Sequence, residues 1–237
     1  MKANDRIIVA LDFATEAEAF GLVAKLGAAA TAYKVGLQLL TAEGPSVVRR
    51  LVGQGKTVFL DLKLYEIPNS VAGAVSAAGH LGVSMVTVHA SAGSAVLRAA
   101  VEAARPFPGM KVLALTVITS MAQEDLNEVG VEGPVLEQVV RLARLAAVAG
   151  CQGIVASAQE AAALRELLPS DLLVVTPGTQ LSGEAKTDQN RTSTPAGAIA
   201  LGATHLVMGR SISRSANPRM TFESTCAEVA AEIEKCG

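Results

Sequence analysis

The chain has 237 residues, half of them hydrophobic and 18% charged, with 20 Lys and Arg against 22 Asp and Glu. This composition excludes a disordered or fibrous chain. A formal charge of -2 and only 3% aromatics exclude a basic, ring-lined nucleic-acid surface.

The three cysteines, Cys151, Cys226 and Cys236, form no CxxC pair and suggest neither a disulfide framework nor a zinc site. The first residues lead into an apolar run of about five, too short for a signal peptide. No run approaches the ~18 apolar residues of a membrane span. The expectation is a soluble, cytoplasmic chain forming one domain over residues 1–237, with no membrane partner.

One unit returns along the chain. A short apolar run, Ile7 to Leu11, is closed by Asp12, and a helical stretch is predicted from Glu16 to Ala28. Ala32–Gly36 is a second run, followed by a helical segment over Pro45–Gln54. Thr57–Lys63, Met85–His89 and Val112–Val117 are the third to fifth runs. Gly153–Ser157, Leu172–Thr176 and His205–Gly209 complete eight, with helical periodicity over Leu136–Ala149 and Ala158–Leu168. Continuous rather than alternating apolar runs indicate strands buried on both faces, as in a parallel sheet covered by helices. Eight strand–helix units predict an α/β fold, a (β/α)8 TIM barrel, with a doubly wound open sheet as the competing arrangement. Two loops break the rhythm, Thr119–Pro134 and the polar Pro177–Pro195; in a barrel both belong to the C-terminal face that carries active sites.

Charge at the ends of buried strands is the strongest signal. Asp12 closes the first run, Lys34 lies within the second, and Asp61 and Lys63 end the third. Residues i and i+2 of a strand face together, so Asp61 and Lys63 are expected to meet. Desolvating an unpaired ion costs several kcal/mol, so two lysines and two carboxylates at one mouth must satisfy one another. A plain stabilising ion-pair network is the bland alternative; position at the C-terminal ends of adjacent barrel strands favours catalysis. On the other side of the mouth stand Thr176-Pro177-Gly178 and Gly209-Arg210. Loops after strands seven and eight commonly bind phosphate through backbone N–H groups and a bidentate Arg.

The stretch Phe59-Leu60-Asp61-Leu62-Lys63-Leu64-Tyr65-Glu66-Ile67-Pro68-Asn69-Ser70 resembles the orotidine 5′-phosphate decarboxylase family. So do Val9–Phe13, Lys34-Val35-Gly36, Val88-His89-Ala90, Leu115–Ser120, Val175–Gly178, Asp188–Arg191 and Val207–Arg210. The resemblance implies a homodimeric barrel with shared active sites. Its reaction is orotidine 5′-monophosphate to uridine 5′-monophosphate and CO2, without cofactor or metal. It assigns Lys63 as proton donor to C6, Asp61 beside the substrate carboxylate, and Lys34 to the charge network and the ribose. Asp12 is assigned to ribose hydroxyls, Thr119 to the pyrimidine side, and Gln189, Gly209 and Arg210 to the phosphate. Ile67, Pro68, Asn69 and Ser70 complete the strand-three motif on the substrate side.

Two positions depart from the family pattern. Glu66 stands where the family usually has an Asp that reaches into the neighbouring subunit's site. Gln180 stands where it usually has an Arg, with Lys186 or Arg191 as the candidate compensating cation.

The three histidines, His80, His89 and His205, have no ligand spacing; His89, at the end of the fourth run, is the one placed to support the site. Two rival functions remain. One is a metal-dependent sugar-phosphate enzyme on a similar barrel, although beyond Asp61 and Glu66 no ligand set can be assembled. The other is a nucleotide-phosphate binding protein that has lost catalysis.

Overall fold

Eight apolar runs become eight parallel strands in a computed structural model that describes residues 2–184 and 191–236. They are β1 (Ile7–Ala10), β2 (Ala32–Gly36), β3 (Thr57–Leu64), β4 (Met85–His89), β5 (Lys111–Leu115), β6 (Gly153–Val155), β7 (Leu173–Thr176) and β8 (His205–Met208). Each pairs with its sequence neighbours, and β1 pairs with β8, closing the barrel and excluding the open sheet.

The strand burial divides into two apolar sets. Ile8, Ala10, Ala32, Phe59, Met85, Leu113, Leu115, Val155, Val175 and Val207 fill the barrel. Their neighbours of opposite parity, among them Ile7, Val9, Tyr33, Val58, Leu60 and Val86, pack outward in a larger core shared with the helices. Both faces of the sheet are therefore covered, with Lys111 at the start of β5 an exposed exception, which is why the sequence shows runs rather than alternation. Gly153 answers a close approach: a Cβ there would lie 2.7 Å from the Leu113 side chain and 3.0 Å from the Leu173 carbonyl oxygen.

Helix ends follow their local chemistry. The helix Glu16–Leu26 opens on a capping box, Thr15 Oγ1 accepting from the Glu18 N–H at 3.3 Å and the Glu18 carboxylate accepting from the Thr15 N–H at 3.2 Å. The helix Ala158–Leu167 repeats it with Ser157 and Glu160. Pro68 begins the helix Pro68–His80, where its missing N–H costs nothing. The helix Val135–Ala149 stops at Gly150, whose φ of 87° suits a residue without Cβ.

The expected loop over 119–134 contains a helix, Gln123–Glu128, that its mixed polar sequence did not announce. Asp125 accepts from the Ala122 N–H at 2.6 Å, and Gln123 bridges the Gly133 carbonyl and the Val135 N–H. These side-chain bonds, rather than an apolar stripe, hold that turn. The loop after β7 is closed at its neck: Gln180 N–H donates to the Ser193 carbonyl at 3.0 Å, and Ser193 N–H to that of Gly178 at 3.3 Å. Lys186 and Gln189 lie outside the described residues.

Candidate active site

Parity places Lys34 (with Ala32), Asp61 (with Phe59) and Thr87 (with Met85) on the inward face, one step nearer the C-terminal mouth than the apolar filling. Lys34 Nζ lies 2.9 Å from Asp12 Oδ1 and 3.6 Å from Asp61 Oδ2; Lys63 Nζ lies 2.8 Å from the same Oδ2. The result is an alternating row, Asp12–Lys34–Asp61–Lys63, across three adjacent strands.

Its members differ in exposure. The side chains of Lys34 and Asp61 are 11% and 10% exposed, whereas Lys63 is 34% and Asp12 54% exposed. The inner two ions are thus held by the outer two, and the Lys63 ammonium is the cation that reaches the open mouth. Burial alone would raise the Asp61 pKa. The ammonium groups of Lys34 and Lys63, with hydrogen bonds from Lys63 and Thr87, outweigh it and hold the carboxyl below its usual value. A depressed carboxylate keeps its charge, and the interactions that depend on it, above its ordinary range and loses them as the pH falls through the lowered value.

The meeting of Asp61 and Lys63 was expected from simple strand alternation, and the structure reaches it by another route. Regular pairing of β3 with β4 stops at Leu60–Val86 and resumes at Leu64–Val88, so four steps on β3 match two on β4. Within this irregularity Lys63 has φ 50°, the single positive φ of a non-glycine residue among those described. Such a conformation costs roughly 1–2 kcal/mol for a residue with a Cβ. The strand side chain that compensates is Thr87, fully buried on β4: its Oγ1 accepts from the Lys63 N–H at 2.8 Å and donates to Asp61 Oδ1 at 2.9 Å. Thr87 was not singled out in the sequence; an inward-facing hydroxyl in the otherwise apolar run Met85–Val88 is the signal that marks it.

Glycines give the row its room. A Cβ at Gly36 would lie 3.0 Å from Lys34 Nζ and 3.4 Å from Asp12 Oδ1, and one at Gly209 would lie 3.9 Å from Asp12 Oδ2. Beside the row, His89 Nδ1 accepts from the Ser91 N–H at 3.2 Å, and its ring stacks on Tyr65 at 5.4 Å. Burial, then the Lys63 charge, lowers its pKa and favours the neutral ring.

The remaining expected residues divide into three places. Glu66, exposed at the start of the helix Pro68–His80, accepts from the Ile67 N–H at 3.0 Å; that bond, then one from Ser70, lowers its pKa. Its carboxylate is folded onto its own helix, with Ile67, Pro68, Asn69 and Ser70 around it on the exposed rim. Thr119 is buried after β5. Across the mouth, Gln180 stands on the loop after β7, and Gly209 follows β8 and precedes the short helix Arg210–Ser213, which Arg210 opens. Thr179 Oγ1 donates to the Val207 carbonyl at 3.0 Å, tying the loop after β7 to strand β8.

Arg191 is not the substitute cation for Gln180. Its guanidinium is buried against Glu160 at 2.8 Å and donates to the Ile118 carbonyl at 3.0 Å, so it braces the loop after β7 against the segment after β5 and the helix Ala158–Leu167. The Ser-x-x-Glu spacing at 157–160 announces a cap but not the ion pair built on it. Among the described residues, no group of three His, Cys, Asp or Glu side chains is arranged to hold a metal ion.

A sequence profile described as "Orotidine 5'-phosphate decarboxylase / HUMPS family" matches residues 5–224. The chain belongs to that family. It is 45% identical over 227 residues to an orotidine 5′-phosphate decarboxylase of Nitrosococcus oceani, covering 95% of this chain and 98% of the relative. The corresponding enzyme of Halorhodospira halophila is 47% identical over 227 residues, covering 95% and 96%. The crystal structure of orotidine 5′-phosphate decarboxylase from Lactobacillus acidophilus superposes with a TM-score of 0.84 at 33% identity, over 94% of this chain and 98% of that one. Family membership and barrel therefore agree with the strand-three motif, and the row Asp12–Lys34–Asp61–Lys63 falls inside the matched residues.

Proposed function

We propose that this chain decarboxylates orotidine 5′-monophosphate to uridine 5′-monophosphate and CO2, acting as a carboxy-lyase in pyrimidine nucleotide synthesis. The observation that carries the mechanism is the alternating row of buried charges ending in a solvent-reaching ammonium. Breaking the bond between C6 and its carboxylate leaves the electron pair in the plane of the ring, where the π system cannot spread it. The site must therefore supply fixed positive charge and a proton where that pair develops. Lys63 does both: its Nζ–H faces the forming carbanion, the proton passes to C6, and solvent reprotonates the amine after CO2 leaves. Asp61 and Lys34 hold the ammonium in place beforehand, so no reorganisation is needed at the moment of reaction.

The sugar and phosphate orient the base from a distance. Asp12 accepts from ribose hydroxyls with Lys34 beside it, and Thr119 lines the pyrimidine side. Gly209 and Arg210, with Gln180 and Gln189, hold the phosphate at the loops after β7 and β8. Binding energy collected there is available to position the reacting carbon.

The working unit is a homodimer with shared sites. Leu37, Tyr65 and Ile67 expose 58%, 64% and 61% of their surface on the same rim as Glu66, an apolar border suited to a second copy. In the dimer Glu66 faces the neighbouring site. Mixing Lys63→Ala and Glu66→Ala proteins should restore part of the activity in hybrid dimers; mixtures no better than the separate variants would exclude sharing. A cytoplasmic location fits a biosynthetic enzyme, and no helix among the described residues is long and apolar enough to cross a membrane.

The deciding experiment follows the absorbance of orotidine 5′-monophosphate with purified protein in excess EDTA. Rapid loss of the substrate band, with uridine 5′-monophosphate as product, is expected. Substrate that binds without turning over would indicate a binding protein. Turnover of a sugar phosphate that chelator abolishes would indicate a metal-dependent relative.

A further inference from the structure

We infer that Thr87 is a positioning residue for this decarboxylation, setting both the backbone turn that presents Lys63 and the division of labour between the two oxygens of Asp61. The inference rests on the roles given to Lys63 and Asp61 above.

A hydroxyl has one hydrogen to give and lone pairs to accept with. Thr87 Oγ1 spends its hydrogen on Asp61 Oδ1 at 2.9 Å and a lone pair on the Lys63 N–H at 2.8 Å. Asp61 Oδ1 is thereby occupied, and Oδ2 is left to the ammonium groups, Lys63 at 2.8 Å and Lys34 at 3.6 Å. The backbone bond answers a second need. Where β3 leaves its register with β4, the Lys63 N–H turns to a side chain of β4 instead of joining the regular ladder. The left-handed turn at φ 50° thus has a specific partner, and the catalytic ammonium and its carboxylate are fixed by one atom.

Thr87 can do this because it cannot move. It is fully buried on a regular strand, and its β-branch restricts the first side-chain torsion. Substituting valine keeps the shape and removes both hydrogen bonds; substituting serine keeps the hydroxyl and loses only a methyl group.

Four proteins test the inference: the parent chain, Thr87→Val, Thr87→Ser and Lys63→Ala. For each, kcat against pH and the dissociation constant for uridine 5′-monophosphate are measured, after circular dichroism confirms the fold. Thr87→Val should lower kcat by about 10- to 100-fold, the loss of one hydrogen bond to a charged group together with mispositioning of the donor. Its affinity for the nucleotide should stay within about twofold, because the phosphate and ribose contacts lie elsewhere. The acid limb of kcat should move to higher pH, since Asp61 loses a bond that favours its charged form. Thr87→Ser should recover most of kcat and the parent acid limb.

Unchanged kcat and acid limb in Thr87→Val would overturn the inference, as would a serine variant no better than valine. An equal loss in kcat and nucleotide affinity would also overturn it, because that is a general distortion of the mouth. If Thr87→Val does not fold, the serine variant still decides: a loss as large as that of Lys63→Ala would show that the hydroxyl is not what matters. A Lys63→Ala protein with ordinary turnover would instead remove the proton-donor reading itself.

Discussion

The two mouths of this barrel treat titratable groups in opposite ways. At the C-terminal mouth four charged side chains are retained, alternating in sign, with the buried pair Lys34 and Asp61 held by Asp12 and Lys63. At the N-terminal mouth His205 is 5% exposed, its Nδ1 against Thr204 Oγ1 at 3.0 Å. Burial, then the charges of Arg6 and Lys111 against the smaller pull of Asp5, push its pKa down to about 4. It borders a cavity of about 420 Å³ that also touches Thr57, Ser84 and Lys111. One end keeps its ions by pairing them, and the other buries a histidine as a neutral ring among the charges at its rim. Fixed, paired charge is what this decarboxylation requires, and a buried neutral ring supplies none. The hollow at the N-terminal end is therefore not where the reaction is placed; the charge arrangement decides that.

If this contrast holds, substitutions at one mouth should change turnover and leave stability, and those at the other should do the reverse. The largest effect is expected from Lys63→Ala. It removes the proton donor and one of the two ammonium groups at Asp61 Oδ2, while Lys34 continues to compensate the carboxylate. Turnover should fall by about a thousandfold or more, equivalent to at least ~4 kcal/mol of transition-state stabilisation. Because the Lys63 side chain is one-third exposed, the unfolding midpoint should change little. Steady-state kinetics with a thermal melt checks both halves, and a variant that melts early with ordinary kcat would reverse the contrast.

The row itself was legible because charge in an apolar run is improbable without a partner, and Asp12, Lys34, Asp61 and Lys63 each break such a run. The eight strands were legible for the complementary reason: both faces are covered, so each run is continuous. What escaped was the local backbone. Nothing in Leu62-Lys63-Leu64 announces a left-handed lysine, because that conformation depends on Thr87 from another strand. Arg191 escaped likewise: its neighbours in sequence are polar loop residues, and its partner Glu160 lies 31 positions away. The helix Gln123–Glu128 escaped because side-chain caps rather than an apolar face hold it. Pattern reading finds what one segment needs for itself and misses what two segments supply to each other.

A middle-sized effect belongs to the N-terminal mouth. His205 binds its proton near pH 4 in the folded chain and near 6.5 when unfolded, so the unfolded state takes up more protons between those values. Stability from this group is complete above about 6.5 and is lost as the pH falls toward about 4, by at most about 3 kcal/mol. Replacing His205 by Asn keeps a polar group beside Thr204 and removes the titration. Denaturant unfolding from pH 7.5 to 4.5 should show a steep decline in the parent chain and a shallower one in His205→Asn, with kcat at pH 7.5 equal in the two. A parallel decline would mean that other groups carry the acid sensitivity.

The smallest effect should come from Gly36→Ala, which probes the charged mouth without removing any charge. Gly36 has φ −101°, which alanine adopts freely, so the backbone gives no reason for instability. The new methyl group would instead stand 3.0 Å from Lys34 Nζ and 3.4 Å from Asp12 Oδ1. Of its neighbours, the end of a lysine chain yields most easily, and a shift of a few tenths of an ångström there lengthens the contacts that align the row. Turnover should drop by about threefold to tenfold, less than ~1.4 kcal/mol, with the unfolding midpoint within a few degrees of the parent. A variant unchanged in both would show that Lys34 tolerates displacement and that alignment is set by Asp61, Lys63 and Thr87 alone. A variant that loses stability more than turnover would place the first strands of the C-terminal mouth with the N-terminal mouth, as structure rather than chemistry.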